Sequence, residues 1–172
     1  MDQRANSIVL IGFMGAGKSS IGRALARMTG LPRFDTDELI ARRFALTIPE
    51  IFEKHGEKKF REAETETLHD LAGKETGIIV TGGGIILSSE NRQLVRGLGK
   101  VVHLAADEET LFERISRRST RPLLQTENPR RTAANLLRVR LPLYREVADL
   151  EVDTSLLRHE EVASRILELI GS

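Results

Sequence analysis

Short apolar runs alternate along the chain with longer segments in which apolar residues recur at helical spacing. Five runs predict β-strands, over residues 8–11, 33–35, 78–81, 101–104 and 150–152. Strands that alternate with helices form parallel sheets that are covered by helices on both faces. The pattern therefore predicts an α/β fold, and we see no internal repeat and no linker that would divide it.

Capping residues mark where several helices begin. Thr36 is expected to cap a helix that runs to about residue 44. Thr47 and Glu50 form a capping box with a proline in the first turn, which starts the next helix. Gly56 interrupts that helix, and residues 58–72 predict a longer amphipathic one.

The second half of the chain predicts three more helices. Asp107 is expected to cap a helix over residues 108–117, and helical spacing returns at residues 129–140 and 159–170. Residues 118–128 are polar, contain a proline and show little periodicity. We predict a mobile loop there.

A phosphate-binding motif follows the first predicted strand. Residues 12–19 read Gly-Phe-Met-Gly-Ala-Gly-Lys-Ser, which matches G-x-x-x-x-G-K-[ST], and Ile21, Leu25 and Met28 continue at helical spacing up to Gly30. Strand, glycine-rich turn and helix are the context that the motif requires. The alternative is a glycine-rich turn that precedes Lys-Ser by chance, without this context.

The motif predicts a nucleoside triphosphate ligand with Mg²⁺. Glycine at positions 12, 15 and 17 lets backbone N–H groups converge on phosphate oxygens, and the N-terminus of the following helix adds positive charge. Lys18 can reach the β- and γ-phosphates, and the Ser19 hydroxyl can bind Mg²⁺. The predicted nucleotide contacts are Gly12, Met14, Gly15, Ala16, Gly17, Lys18, Ser19 and Ser20.

Two carboxylates follow the second strand, in Phe34-Asp35-Thr36-Asp37. Ligands of open α/β sheets bind beyond the carboxyl ends of the strands, so these side chains are expected near the phosphates. One can hold Mg²⁺ through water, and the other can orient an alcohol acceptor or take its proton. The alternative is that Asp residues here only cap a helix.

Three consecutive glycines, Gly82, Gly83 and Gly84, follow the third strand. Without side chains, their N–H groups are open to close approach by a substrate. A turn that needs positive φ is the alternative, and it accounts for one or two glycines better than for three.

Three arginines are candidates for charge stabilisation during phosphoryl transfer: Arg61, Arg121 and Arg140. Taken alone, Arg61 with Glu64 at i+3 reads as an ordinary exposed ion pair, and the other two read as solvated loop residues. Arg121, however, lies in the predicted mobile loop, and kinases use closing loops to exclude water.

Composition narrows the function classes. The chain has 172 residues and a net charge of +1, from 26 basic and 25 acidic residues, which gives no general case for nucleic acid or membranes. It has no cysteine, which excludes disulfides, thiolate metal sites and a cysteine nucleophile. No run approaches the roughly 18 apolar residues of a membrane span, and the N-terminus lacks a signal-peptide pattern, so we expect a cytoplasmic protein. His103, within an apolar strand, is expected to be a core residue.

Together these motifs closely resemble those of the shikimate kinase family along nearly the whole chain. The matching blocks are G-F-M-G-A-G-K-S (12–19), F-D-T-D (34–37), F-R-E-A-E (60–64), T-G-G-G (81–84), R-P-L-L (121–124), R-L-P-L-Y (140–144) and A-D-L-E-V-D-T (148–154). The resemblance implies transfer of the γ-phosphoryl group of ATP to the 3-hydroxyl of shikimate, on the path to chorismate and the aromatic amino acids.

The resemblance also implies a fold. The family has a three-layer P-loop NTPase fold with a five-stranded parallel sheet of order 2-3-1-4-5, flanked by helices. We therefore expect one domain over residues 1–172, with a substrate-binding helical region at about 36–64 and a lid at about 116–128. We also expect a monomer.

Residue roles are carried over from the motifs. Lys18 and Ser19 would serve ATP and Mg²⁺, and Asp35 resembles the residue that holds the metal through water. Asp37 is similar to the carboxylate that binds the shikimate hydroxyls and acts as the candidate base. Arg61 and Arg140 match the pair that grips the shikimate carboxylate, with Glu64 orienting Arg61 and Gly83 offering its N–H.

Two more arginines are carried over to the nucleotide. Arg121 matches the lid arginine that reaches the phosphates, and Arg114 is similar to a residue that stacks on adenine. Lys18, Asp37 and Arg121 are thus the expected catalytic residues.

Two other functions stay open at this point. Another small-molecule P-loop kinase, such as one acting on gluconate, should lack the F-R-x-x-E and T-G-G-G blocks together. A non-catalytic nucleotide-binding homologue should have lost Lys18, Asp37 or a substrate arginine. Nucleic-acid binding is disfavoured, since the chain has one Tyr and no Trp for base stacking.

Overall fold

The computed structural model of the protein describes residues 6–117 and 124–171, which form five strands and seven α-helices. The strands are β1 Ser7–Ile11, β2 Arg33–Asp35, β3 Ile78–Val80, β4 Gly99–Ala105 and β5 Leu150–Asp153. The helices are α1 Lys18–Thr29, α2 Thr36–Phe44, α3 Ile48–Leu71, α4 Ser89–Leu98, α5 Glu108–Ser116, α6 Pro129–Val147 and α7 His159–Gly171. A short 3-10 helix spans Ile85–Leu87.

The strands form one sheet of order β2-β3-β1-β4-β5, and every neighbouring pair is parallel. This confirms the predicted order. The register places Leu10 of β1 beside Val80 of β3 and Val102 of β4. Because all strands run the same way, the segments that follow β1, β2 and β3 emerge at one edge of the sheet.

The main core lies between the sheet and its flanking helices. Strands β1 and β3 are buried throughout, as expected for a parallel sheet covered on both faces. Helices α1 and α7 pack on each other and on the sheet, while α4 and α6 pack together elsewhere on it. Ile21 and Leu25 of α1 are buried as predicted, but Met28 is 49% exposed because it lies near the end of its helix.

A second, smaller core holds α2 and α3 together. It consists of Ile40, Ile51, Phe60 and Ala63, with Phe44, Leu46, Ile48 and Phe52 packed around them. None of these residues belongs to the main core. The expected substrate-binding region therefore has a core of its own, while Leu68 and Leu71 join the end of α3 to the main core.

The helix starts agree with the capping pattern except at α2. Thr47 and Glu50 form both halves of the capping box, and Gly56 adopts a non-helical φ of 80° inside α3. The prediction for Thr36 is wrong: Asp35 caps α2, and Thr36 is its first residue. The Thr36 hydroxyl instead accepts a hydrogen bond from the Gly82 amide at 3.1 Å, so it is already engaged.

Two other features differ from the sequence prediction. Helix α6 continues past residue 140 through Pro142, because Arg140, Tyr144 and Val147 recur on one buried face. The 3-10 helix and α4 were not predicted. Ser88 caps α4, but few apolar residues follow it.

No helix within the described part of the chain is both long and apolar enough to cross a membrane. This agrees with the absence of long apolar runs in the sequence.

The close contact between α1 and β3 gives a test of the packing. A Cβ atom on Gly22 would overlap the Cγ2 atom of Val80, which lies in a strand flanked on both sides. We expect Gly22→Ala to lower the free energy of unfolding by about 1–3 kcal/mol, as overpacking does in a rigid core. Urea unfolding of the purified protein measures this.

Gly97→Ala is the matched control. Gly97 also lies in a helix, but nothing stands within 4 Å of the position that its Cβ would take. This change should stabilise by up to about 1 kcal/mol through helix propensity. A Gly22→Ala variant as stable as the Gly97→Ala variant would contradict the tight packing.

Candidate active site

The phosphate loop has the backbone that its glycines were expected to provide. Gly12, Gly15 and Gly17 have φ values of 154°, 82° and 94°. At Gly12 a Cβ would also stand 2.6 Å from the carbonyl oxygen of Leu104. Gly17 is the N-cap of α1, so the loop passes directly into the positive end of that helix.

The Lys18 ammonium group folds back over the loop. It donates to the carbonyl oxygens of Gly12 at 2.7 Å and Phe13 at 3.0 Å. Lys18 lines a cleft of about 570 Å³ together with other loop residues. Its positive charge therefore lies where a phosphate chain would rest on the loop.

Asp35 connects the loop to β2 and α2. Its Oδ1 atom caps α2 by accepting from the amides of Asp37 at 3.0 Å and Glu38 at 3.3 Å. Its Oδ2 atom faces the Ser19 hydroxyl at 3.5 Å and a guanidinium nitrogen of Arg33 at 3.2 Å. Helix capping by Asp35 is therefore confirmed, while its role in binding Mg²⁺ stays a prediction for the oxygen that faces the loop.

A second, smaller pocket of about 80 Å³ adjoins the cleft. Its lining combines charged groups with an apolar wall: Met14, Asp37, Ile48, Phe52, Phe60, Arg61, Glu64, Gly82, Gly83, Gly84 and Arg140. Four residues line both the cleft and the pocket: Met14, Asp37, Gly82 and Gly83. Asp37 is thus the carboxylate at the junction of the two spaces.

Side chains approach two of the three glycines after β3 closely. A Cβ on Gly82 would stand 2.8 Å from an Asp37 carboxylate oxygen, and one on Gly84 would stand 2.7 Å from the Arg61 guanidinium carbon. A Cβ on Gly83 would have no contact shorter than 3.4 Å. None of the three has a positive φ, so the alternative of a turn that needs positive φ is wrong, and close approach explains Gly82 and Gly84.

Arg61 and Glu64 form a largely buried ion pair rather than an exposed one, since the Arg61 side chain is only 22% exposed. Arg61 donates to Glu64 at 2.7 Å and to Glu57 at 3.3 Å, and the Glu64 side chain is 1% exposed. Burial raises the pKa of Glu64 to about 7, although Arg61 opposes the shift. Burial acts to lower the pKa of Arg61, but the charges of Glu64 and Glu57 raise it overall.

Arg140 brings a second buried guanidinium to the small pocket. It is 2% exposed, and it lies over the Phe13 ring at 5.8 Å. Within the described part of the chain, the Nε atoms of both Arg61 and Arg140 are buried without a hydrogen-bond partner. Two buried donors on two cations are suited to an anionic ligand.

Arg114 lies at the other end of the cleft. Its guanidinium donates to the Gly15 carbonyl at 3.3 Å and to the Thr154 hydroxyl and carbonyl at 3.1 and 2.8 Å. These contacts hold it beside the phosphate loop. The predicted contact with adenine remains a prediction. Arg121 lies outside the described residues, so its predicted place over the phosphates is not tested.

Several site residues escaped the sequence analysis. Arg117 and His159 line the cleft, and Ile48 and Phe52 form the apolar wall of the small pocket. Ile48 and Phe52 showed only ordinary amphipathic spacing, which does not separate a pocket wall from a core, and no local pattern marked Arg117 or His159. His103 is buried and paired with Glu151 at 2.9 Å, so its prediction as a satisfied core residue is confirmed.

Comparisons with known proteins agree with the site geometry. The family model described as Shikimate kinase matches residues 14–171. A shikimate kinase of Methylococcus capsulatus is 47% identical, over 97% of this chain and 93% of that protein.

Solved structures give the same result. A shikimate kinase from Acinetobacter baumannii, solved in complex with shikimate, is 42% identical with a TM-score of 0.92, and the match covers 98% of this chain and 94% of that one. A shikimate kinase from Aquifex aeolicus is 37% identical with a TM-score of 0.81, over 96% of both chains.

The raised pKa of Glu64 predicts a pH effect on stability. Between about pH 4.5 and 7 the folded protein holds a proton that the unfolded chain has lost, so stability falls as the pH rises through this range. The predicted loss is roughly 3 kcal/mol. Glu64→Gln should remove this part of the slope, as measured by urea unfolding at about pH 5 and about pH 8.

Glu62→Gln is the control for loss of a carboxylate from the same helix, since Glu62 is 46% exposed and pairs only with Lys59 among the described residues. If Glu64→Gln and Glu62→Gln change the pH slope equally, Glu64 is not the group that titrates.

Proposed function

The chain belongs to the shikimate kinase family, and from that premise we propose that it transfers the γ-phosphoryl group of ATP to the 3-hydroxyl of shikimate. The products are shikimate 3-phosphate and ADP, on the path to chorismate and the aromatic amino acids. One observation carries the proposal: Asp37 stands where a phosphate-binding cleft meets a pocket that holds two guanidinium groups, the buried one of Arg140 and the partly buried one of Arg61.

ATP binds along the larger cleft. Its phosphates lie on the loop of residues 12–19, where backbone N–H groups and the start of α1 attract negative charge. Lys18 contacts the β- and γ-phosphates, and Arg114, which also lines the cleft, contacts the adenine base of ATP. From the family resemblance, Arg121 of the lid at about 116–128 is the further cation that serves the phosphates.

Mg²⁺ fits the pair formed by Ser19 and Asp35. Both offer oxygen atoms, which this ion prefers, and they face each other at 3.5 Å. The described residues contain no group of three or more His, Asp or Glu side chains that would enclose a metal. An ion held by few protein ligands keeps positions for water and for phosphate oxygens. When bound, it neutralises charge on the transferred phosphoryl group.

The carboxylate of shikimate binds between Arg61 and Arg140. Each has a buried Nε donor with no partner among the described residues, and a planar carboxylate pairs well with guanidinium. Glu64 holds Arg61 in place at 2.7 Å. Gly83 supplies a backbone N–H, and Ile48 and Phe52 cover the ring of the substrate.

Asp37 then aligns the acceptor and takes its proton. The 3-hydroxyl oxygen of shikimate bonds to the γ-phosphorus, the bond from the γ-phosphorus to the bridging oxygen of ADP breaks, and the hydroxyl proton passes to Asp37. Most of the rate enhancement comes from positioning and from positive charge around the phosphoryl group. A cleft and a pocket that share Asp37, Gly82 and Gly83 bring the two reactants together.

The wider assignment follows the same premise. We infer one domain over residues 1–172, with a substrate-binding region at about 36–64, acting as a monomer in the cytoplasm. The separate core between α2 and α3 supports a distinct substrate-binding region. The balanced charge and the lack of Trp support a small-molecule enzyme with neither nucleic acid nor membrane as a partner.

ATP consumption by the purified protein should depend on added shikimate. Coupled measurement of ADP release tests this with Mg²⁺ present, and quinate and gluconate serve as control acceptors. A folded protein that turns over ATP equally well with gluconate, or not at all with shikimate, would contradict the proposal.

Asp37→Asn should impair mainly catalysis, whereas Arg61→Ala should impair mainly the binding of shikimate. Asp37→Asn removes the proton acceptor while keeping the shape, so kcat should fall about 100-fold or more. Arg61→Ala removes one carboxylate contact, so the KM for shikimate should rise at least tenfold while ATP affinity changes little.

Steady-state kinetics in both substrates distinguishes these effects. Near-normal kcat in Asp37→Asn would rule out its role as base, and an equal loss of ATP and shikimate affinity in Arg61→Ala would rule out the assigned subsite.

A further inference from the structure

Tyr144 is the one tyrosine of the chain, and it is fully buried in the main core. A buried hydroxyl needs a hydrogen-bond partner, and this one donates to the carbonyl oxygen of Gly83. Gly83 is the middle glycine of the triplet, and it lines both the cleft and the small pocket. The hydroxyl therefore acts directly on the backbone of the active site, although Tyr144 itself lines neither space.

The same hydrogen bond fixes the part of α6 that carries Arg140. Arg140 precedes Tyr144 by one turn of α6, so the two side chains lie on the same face of the helix. An Arg140 nitrogen lies 3.6 Å from the position of a Cβ on Gly83. The bond from Tyr144 to Gly83 thus ties the helix that carries Arg140 to the backbone that faces the same pocket.

The phenol ring of Tyr144 also packs against a side chain of the sheet. His103 of β4 stacks on it with ring centroids 5.0 Å apart and planes 19° apart. His103 in turn pairs with Glu151 at 2.9 Å, and Arg145 binds the same carboxylate at 3.1 Å. Burial lowers the pKa of His103, so the imidazole is mostly neutral near pH 7 and suited to stacking in the core. The ring cannot swing away without disturbing the sheet.

We propose that Tyr144 is a positioning residue for the acceptor substrate, whose hydroxyl, by binding the Gly83 peptide, keeps Arg140 on the preceding turn of α6 and Gly83 in the arrangement that receives a carboxylate. This inference rests on the proposed function, because it gives the role of that carboxylate pocket. Arginine has many rotamers, and fixing one before binding lowers the entropy that the ligand must overcome. A preorganised cation raises affinity without touching the ligand.

Tyr144→Phe is the direct test, since it keeps the ring and removes only the hydroxyl. We expect the KM for shikimate to rise about tenfold, the scale of one lost buried hydrogen bond that leaves the Gly83 carbonyl without its partner, while the KM for ATP changes less than about twofold. The change in kcat should be smaller than the change in the shikimate KM. An unchanged shikimate KM, or equal effects on both substrates, would overturn the proposal.

Val147→Ala is the matched control for general loss of stability. Val147 lies on the same helix, is 2% exposed, and lines neither space. It should lower the melting temperature at least as much as Tyr144→Phe without raising the shikimate KM. If both variants raise the shikimate KM equally, Tyr144 acts only through the core.

A double-mutant cycle with Arg140→Ala tests the proposed route. If the hydroxyl works through Arg140, adding Tyr144→Phe to Arg140→Ala should change shikimate affinity by less than about threefold. Fully independent effects of the two substitutions would overturn the link to Arg140. Shikimate affinity is measured by calorimetry, so the cycle does not require turnover.

Fluorine NMR tests the proposal without any amino-acid substitution. Because the chain has one tyrosine, growth on meta-fluorotyrosine labels this side chain alone. Saturating shikimate should shift or split its resonance, whereas gluconate at the same concentration should not. If the preparation phosphorylates shikimate but the fluorine resonance does not change on addition of shikimate, the proposal is wrong. A preparation with no shikimate-dependent turnover would instead contradict the proposed function.

Discussion

Thr81 donates two hydrogen bonds to the carbonyl oxygen of Leu10, from its amide at 3.2 Å and from its hydroxyl at 2.8 Å. They extend the pairing of β1 and β3 to the point where both strands end. The next amide, of Gly82, binds the Thr36 hydroxyl at the start of α2. The ends of three strands are thereby tied together by buried hydrogen bonds. Because these bonds cannot be exchanged for water, the phosphate loop, the two Asp residues and the glycine triplet keep fixed relative positions.

The same edge of the sheet concentrates buried charge that the protein itself only partly balances. Glu64 is balanced by Arg61 but has a raised pKa, while Arg140 is buried with part of its donor capacity unused among the described residues. Such an arrangement costs stability in the free protein. An anionic substrate completes it, so part of the cost is recovered when the acceptor binds. This is a case in which the stability of the free protein and the strength of binding oppose each other.

Much of the fold and of the site follows from the sequence, because local rules decide those parts. The five strands, the phosphate loop and the capping box of α3 each depend on residues close together in the chain. The errors arise where distant contacts decide. The Thr36 hydroxyl accepts a hydrogen bond from the Gly82 amide and does not cap α2. Helix α6 continues through Pro142 because its buried face lies against the core. Periodicity marks Phe52 as apolar and inward-facing but does not tell whether it lines a pocket or fills a core. No local pattern predicted the hydrogen bond from Tyr144 to Gly83, because the two residues are far apart in the chain.

The small core between α2 and α3 has a consequence for how such an enzyme changes over time. Phe60 and Ile51 hold this region together without contributing to the main core, while the phosphate loop depends on β1 and α1. Substitutions in the small core can alter the wall of the acceptor pocket and leave the nucleotide cleft intact. During evolution the enzyme's preference among related polyol acids can therefore change, while the phosphoryl donor and the transfer chemistry stay the same.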